Sequence, residues 1–287
     1  MRSQGVGQLG RWYSRIMFGV CVGFAALIIA LLSLVIWYLL AIGAQSVDLA
    51  FFTQDQSGDP TAPGGMRHAI VGTLVLVGLA SAVGVPMGML AGIHMAEYSQ
   101  ETWLAKPARF IADVLAGVPS IVIGILGYEL IVVPMGNFSG WAGAAALAFI
   151  MIPIVARTTE EMLLLVPNSY RAGSFALGAT KAQTILRVVL PAASGSVVTG
   201  IMLALARVAG ETAPLLFTAL GSRFLTLDPN QPFPSLTVQI YTYATGPYEA
   251  ERRLAWAGIL VLISILFALN LTIRVVAARS ARHLKSN

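Results

Sequence analysis

Apolar residues follow one another in this chain for lengths that a soluble helix does not need. No charge falls between Arg15 and Asp48, a stretch too long for the apolar region of a cleaved signal peptide. It exceeds the about 20 residues that cross a bilayer, so the pattern predicts a retained membrane helix over about 16–43. Further runs predict spans over about 69–95, 109–133, 141–156, 192–220 and 254–276. In the second, Gly84, Gly88 and Gly92 recur every four residues around Pro86, a face of small residues against which another helix can pack closely. In the third, Asp113 and Glu129 fall near the ends. The expectation is an all-α, polytopic membrane protein with six transmembrane helices.

Composition agrees with this solvent. Of the 287 residues 57% are hydrophobic and 11% charged, against about a quarter charged in an ordinary soluble domain. The single cysteine, Cys21, lies inside the first apolar run, which excludes an internal disulfide framework and a cysteine-cluster metal site. The net charge of +5 is explained by orientation, because cytoplasmic loops are enriched in Lys and Arg. With the amino terminus inside, the inner side receives Arg2, Arg11, Arg15, Lys106, Arg109, Arg157, Arg171, Lys181, Arg187, Arg274, Arg279, Arg282 and Lys285, thirteen of the 18 basic residues. Six spans then leave both termini in the cytoplasm. The chain divides into a cytoplasmic tail (1–15), a transmembrane domain (16–278) and a basic tail (279–287).

The inner connection 157–191 carries local structure. Pro167 stops the preceding segment, Asn168 or Ser169 can cap a helix, and Gly178 suits the left-handed residue just past its end. Thr180 followed by Gln183 forms a capping box for a second helix that reaches Leu190 before Pro191. The first helix exposes Tyr170, Phe175 and Leu177, which points to a partner surface; an amphipathic connector on the bilayer is the alternative. Gly173 to Thr180 has the glycine spacing of a phosphate loop, but Ala179 stands where the lysine is required, so no nucleotide site is expected in this chain.

Arg207 falls near the middle of the fifth predicted span, with Glu211 four residues later on the same helical face. An arginine at mid-membrane costs about 2.5 to 3.5 kcal/mol on insertion scales and usually faces a partner or an aqueous route. Gly210 and Pro214 loosen the helix beside the pair. Arg157 borders the same inner end, and two arginines along one route would suit an oxyanion such as phosphate or sulfate. A structural ion pair, and positive-inside anchoring for Arg157, are the other readings of these residues. Asp113, Glu129, Glu97 and Glu101 read as solvated, and no zinc motif or serine elbow is present.

Two features resemble known importers. Gly178, nine residues, then Val188-Val189-Leu190-Pro191 is similar to the cytoplasmic signature of the permease subunits of ABC importers, with Ala172, Gly173 and Ser174 in the Glu-Ala-Ala places. Gly210-Glu211-Thr212-Ala213-Pro214-Leu215-Leu216-Phe217-Thr218, Leu115-Ala116-Gly117-Val118-Pro119-Ser120-Ile121-Val122 and Arg157-Thr158-Thr159-Glu160-Glu161-Met162 resemble the phosphate importer permeases of the PstA type. The resemblance covers about 70–276 and implies a type I ABC importer permease architecture in a bacterial inner membrane. It implies that Tyr170, Arg171, Ala172, Gly173, Ser174, Phe175, Leu177, Gly178, Thr180 and Lys181 couple to an ATPase subunit. It also implies partners: a second, PstC-type permease, two ATPase subunits and an external phosphate-binding protein. ATP and magnesium are expected on the ATPase, with no cofactor on this chain and no enzymatic activity of its own. Arg207, Glu211 and Arg157 are the pathway candidates. Permeases for sulfate, molybdate or another solute, a self-contained secondary transporter and a structural scaffold are the competing functions; no internal repeat of the kind common in secondary transporters is evident.

Overall fold

The computed structural model describes residues 4–59, 61, 64–98 and 105–283; the ends of both tails, 1–3 and 284–287, and Glu101 lie outside the described residues. Helix α1 (Gln4–Gly43) is followed by the short α2 (Leu49–Thr53), α3 (Arg67–Glu97), α4 (Ala105–Gly117) and α5 (Ser120–Gly127). A wider π turn at Tyr128–Val132 leads into α6 (Val133–Met135), then come α7 (Gly140–Leu164), α8 (Asn168–Ala176) and α9 (Lys181–Thr184). A second π turn at Ile185–Val189 leads into α10 (Leu190–Ala209), followed by α11 (Ala213–Thr218), α12 (Leu236–Thr245) and α13 (Glu249–His283). Among the described residues, five helices are long and apolar enough to cross a membrane, six when a bent pair counts as one span.

That bent pair is the third predicted span, and it is not straight. The helices on either side of Val118–Pro119 meet at 101°. Proline lacks the N–H that would continue the helix and pushes the residue before it out of the helical region; Pro119 itself is extended, with ψ 133. The fourth span is longer than 141–156, because α7 continues through charged residues to Leu164. The fifth also differs. Its helix begins at Lys181, passes Pro191 and stops at Ala209, with Gly210 to Thr212 separating it from α11. Pro191 does not stop it because the π turn directly upstream shifts the hydrogen-bond register, so the missing N–H and the ring are accommodated. Pro134 follows the other π turn at the same spacing.

The central packing is α3 against α7, and the glycine ladder sets it. A Cβ on Gly84 would lie 3.1 Å from Met151, one on Gly88 2.7 Å from Val155, and one on Gly92 2.6 Å from Thr159. Successive residues four apart on α7 thus fill the steps left by successive glycines, as the small-residue pattern requires. Leu76, Ala80, Leu147, Met151, Val155, Ala204, Val208 and Leu215 join α3, α7, α10 and α11 in one buried cluster. By contrast α1 is exposed from Trp12 to Tyr38 and touches α13 near Gly43 and Trp256, where Tyr38 and Trp256 meet edge to face at 5.4 Å. Its surface is suited to lipid or to another subunit.

Candidate functional site

Arg207 stands in the last turn of α10, not at mid-helix, because Gly210 ends the helix three residues before α11 opens at Ala213. Its guanidinium is half exposed at 54%, whereas the Glu211 carboxylate is 14% exposed. Their closest approach, Nε to Oε1, is 3.7 Å, an electrostatic contact too long for a hydrogen bond. Glu211 is fixed by its main chain: its carbonyl accepts the Thr237 hydroxyl at 2.9 Å, and its N–H donates to the Val208 carbonyl. Arg207 borders a small hollow with Leu115, Val118 and Ser120 at the α4–α5 bend and Ile150 and Ile154 on α7. The bend therefore places the start of α5 beside the arginine, which a straight third span would not do.

Arg157 lies on α7 one turn beyond Ile154, and it is braced. Its Nε reaches Asp113 of α4 at 2.9 Å and its Nη1 reaches Glu160 at 2.7 Å. Glu160, 2% exposed, also accepts from Arg109 of α4, which donates a second bond to the Met95 carbonyl at 2.6 Å. Two arginines and two carboxylates balance, which explains how a buried carboxylate is tolerated here.

At the same end, α8 lies outside the packed core and has no buried residue. Its Leu177, Tyr170 and Phe175 are 90%, 55% and 48% exposed, the exposure that the sequence pattern anticipates, and Ala172 and Gly173 are also exposed. Gly178 takes φ +83, and the Thr180–Gln183 capping box is complete, with both hydrogen bonds present. The start of α8 differs: Pro167 is its cap residue, and neither Asn168 nor Ser169 caps it with a side chain. A cavity of about 490 Å³ opens between α8 and the following helix, lined by Tyr170, Gly173, Leu177, Gln183, Arg187 and Val188. Other predicted coupling residues face inward. Ser174 shares a 2.9 Å hydrogen bond with Thr184, Lys181 sits over the Tyr98 ring at 4.4 Å, and Arg171 turns to Glu97. Glu97 is 7% exposed, a correction to its reading as solvated. Its partner stands 74 positions away, beyond any local pattern. For Glu160 a local signal existed, the Arg157–Glu160 spacing of three on a helix.

The opposite end is pinned by charge. Arg67 donates to both oxygens of Asp55 at 3.1 and 2.9 Å, which ties Asp55 to the start of α3 and holds its carboxyl below its ordinary range. A second cavity of about 490 Å³ lies there, bordered by Gln56, Arg223, Gln239, Tyr243 and Glu251. Burial pushes the Tyr243 hydroxyl up to about 12, so it stays protonated.

A family model described as "Binding-protein-dependent transport system inner membrane component" matches residues 84–285. The chain is 44% identical over 247 residues to the phosphate transport system permease protein PstA of Yersinia pestis, covering 85% of this chain and 84% of that protein. It is 41% identical over 264 residues to the protein of the same description from Haemophilus influenzae, covering 91% and 93%. Among solved structures, an inward-facing MetNI methionine ABC transporter chain superposes with a TM-score of 0.60 over 74% of this chain and 92% of its own, at 20% identity, a likeness of fold.

Proposed function

Since the chain belongs to the family of inner membrane components of binding-protein-dependent transport systems, we propose that it forms one permease half of an ATP-driven inorganic phosphate importer. Its relatives named as phosphate permeases span most of its length. The observation that carries the reading is Arg207: a half-exposed guanidinium at a break between helices, near a carboxylate but not locked to it. A guanidinium matches the geometry of a tetrahedral oxyanion. At 3.7 Å Glu211 restrains Arg207 when no anion is bound and releases it at small cost when one arrives. Phosphate near neutral pH retains a proton that sulfate has lost, and the Glu211 carboxylate is an acceptor for it. Arg157, held by Asp113 and Glu160, belongs in this reading to the frame of the pathway.

The partners are a second, PstC-type permease, two ATPase chains that carry ATP and magnesium, and an external phosphate-binding protein. Both termini are cytoplasmic and the membrane is the bacterial inner membrane. The binding protein delivers phosphate at the end bearing Arg223 and Tyr243. ATP binding closes the ATPase pair, α8 moves with it, and the membrane helices switch access from outside to inside. The test is labelled-phosphate uptake in cells that lack their own high-affinity system and express this chain with its partners. Uptake that unlabelled phosphate competes away, and that sulfate and molybdate leave intact, supports the reading. Competition by sulfate or molybdate would change the cargo; uptake that persists after ATP depletion and follows an ion gradient would favour a secondary transporter.

A further inference from the structure

Nothing in α8 is buried, so apolar packing cannot make it move as one body with the membrane helices. One side chain supplies the attachment. Arg171 turns away from the exposed face, and its Nη2 reaches Glu97, the last residue of α3, at 2.6 Å while Nε lies 3.2 Å from the same carboxylate. Its remaining N–H groups donate to the carbonyl of Leu163 at 2.9 Å and that of Val166 at 2.7 Å, at the end of α7. The two charged groups are 16% and 7% exposed, dry enough for charge-assisted bonds to be stiff. Among the described residues α8 also meets the body through the 165–167 turn, the glycine hinge at Gly178, the Ser174–Thr184 hydrogen bond and its contacts with α9 and the Ile185–Val189 turn.

The attachment leads further in. Two residues before Glu97, the Met95 carbonyl accepts Arg109 of α4, and Arg109 and Arg157 share Glu160 of α7. Helix α4 ends at the bend that borders Arg207. We propose that the Arg171–Glu97 fork is the link through which displacement of α8 reaches α3 and α4, making both residues positioning residues for the coupling of ATP-driven movement to transport. The proposal rests on the permease reading above.

The experiment uses the full complex in proteoliposomes, with ATP hydrolysis and labelled-phosphate uptake measured in parallel for wild type, Glu97→Gln, Arg171→Gln and Arg171→Lys. Glu97→Gln keeps the shape and leaves the carbonyl bonds of Arg171 in place. The expected result is an assembled complex that hydrolyses ATP near the wild-type rate, with uptake per ATP reduced about tenfold, the scale of one lost charge-assisted hydrogen bond. Arg171→Gln falls as far, and Arg171→Lys, which retains a point charge without the fork, falls between. A wild-type ratio in assembled Glu97→Gln overturns the proposal. If that variant does not assemble, Arg171→Lys decides, with a reduced ratio supporting the link and a wild-type ratio overturning it. Wild type that hydrolyses ATP but takes up no phosphate would strike only the cargo reading. The link is then read from the stimulation of hydrolysis by the loaded binding protein, lowered in Glu97→Gln if the link exists and unchanged if it does not.

Discussion

Two glycines on α3 make opposite predictions from the same substitution. A Cβ at Gly88 would lie 2.7 Å from the Val155 Cβ and 2.9 Å from the Ile152 carbonyl oxygen, whereas one at Gly78 would meet no atom within 4 Å. Val155 is fully buried and Ile152 contributes backbone, so neither yields without α3 and α7 moving apart. Overpacking of this kind costs about 1 to 3 kcal/mol, partly offset by the up to about 1 kcal/mol that alanine gains over glycine inside a helix. Gly78→Ala should therefore be neutral or gain up to about 1 kcal/mol, and Gly88→Ala should be about 1 to 3 kcal/mol less stable than Gly78→Ala. Denaturant unfolding of the purified complex in detergent, followed by helical signal, measures both. The comparison is internal to one helix, so general effects of alanine cancel. Gly88→Ala as stable as Gly78→Ala would refute the close packing of α3 on α7 and the frame built on it.

Three further outcomes follow from the same geometry. Gly178→Pro should leave ATP hydrolysis while uptake falls at least about tenfold: proline fixes φ near −65°, opposite in sign to the observed +83, and removes the N–H that Gly178 donates to Phe175 at 2.9 Å. Wild-type uptake by that variant would remove the hinge from the mechanism. The Asp55 carboxyl titrates below its ordinary value of 3.8 because Arg67 favours its charged form, so its contribution to stability is present above that value and is lost as pH falls through the lower, folded-state value. Melting of wild type and Asp55→Asn should accordingly differ at neutral pH and converge in that acid window, and a difference independent of pH would contradict the ion pair. Glu160→Ala should destabilise by about 1 to 3 kcal/mol, less than a fully buried pair would lose, because Arg109 and Arg157 are each about one third exposed and retain Met95 and Asp113; unfolding midpoints equal to wild type would show the brace to be idle.

The long helices were legible because hydropathy reports the solvent directly: α1, α3 and α13 each contain an unbroken apolar run. So were the local devices at Gly178 and Thr180, whose chemistry is complete within a few residues. What escaped was decided elsewhere in the chain. The polar end of α7 stays helical because Arg109 and Arg157 neutralise Glu160, and Glu97 is buried because Arg171 reaches it from α8. The α4–α5 bend has a local signal in Pro119, but the apolar residues on both sides give the pattern of one continuous span. Arg207 and Glu211 lie 3.7 Å apart at a helix break and not along one helix, since Gly210 ends α10 between them.

The central claim is that phosphate crosses beside Arg207. Its most direct measurement is labelled-phosphate uptake by reconstituted complexes carrying wild-type chain or Arg207→Gln, with subunit stoichiometry and ATP hydrolysis determined on the same vesicles. The account predicts an intact, ATP-hydrolysing Arg207→Gln complex whose uptake is abolished. Uptake at the wild-type rate by that complex, or its failure to assemble, would contradict the assignment and return Arg207 to the structural frame.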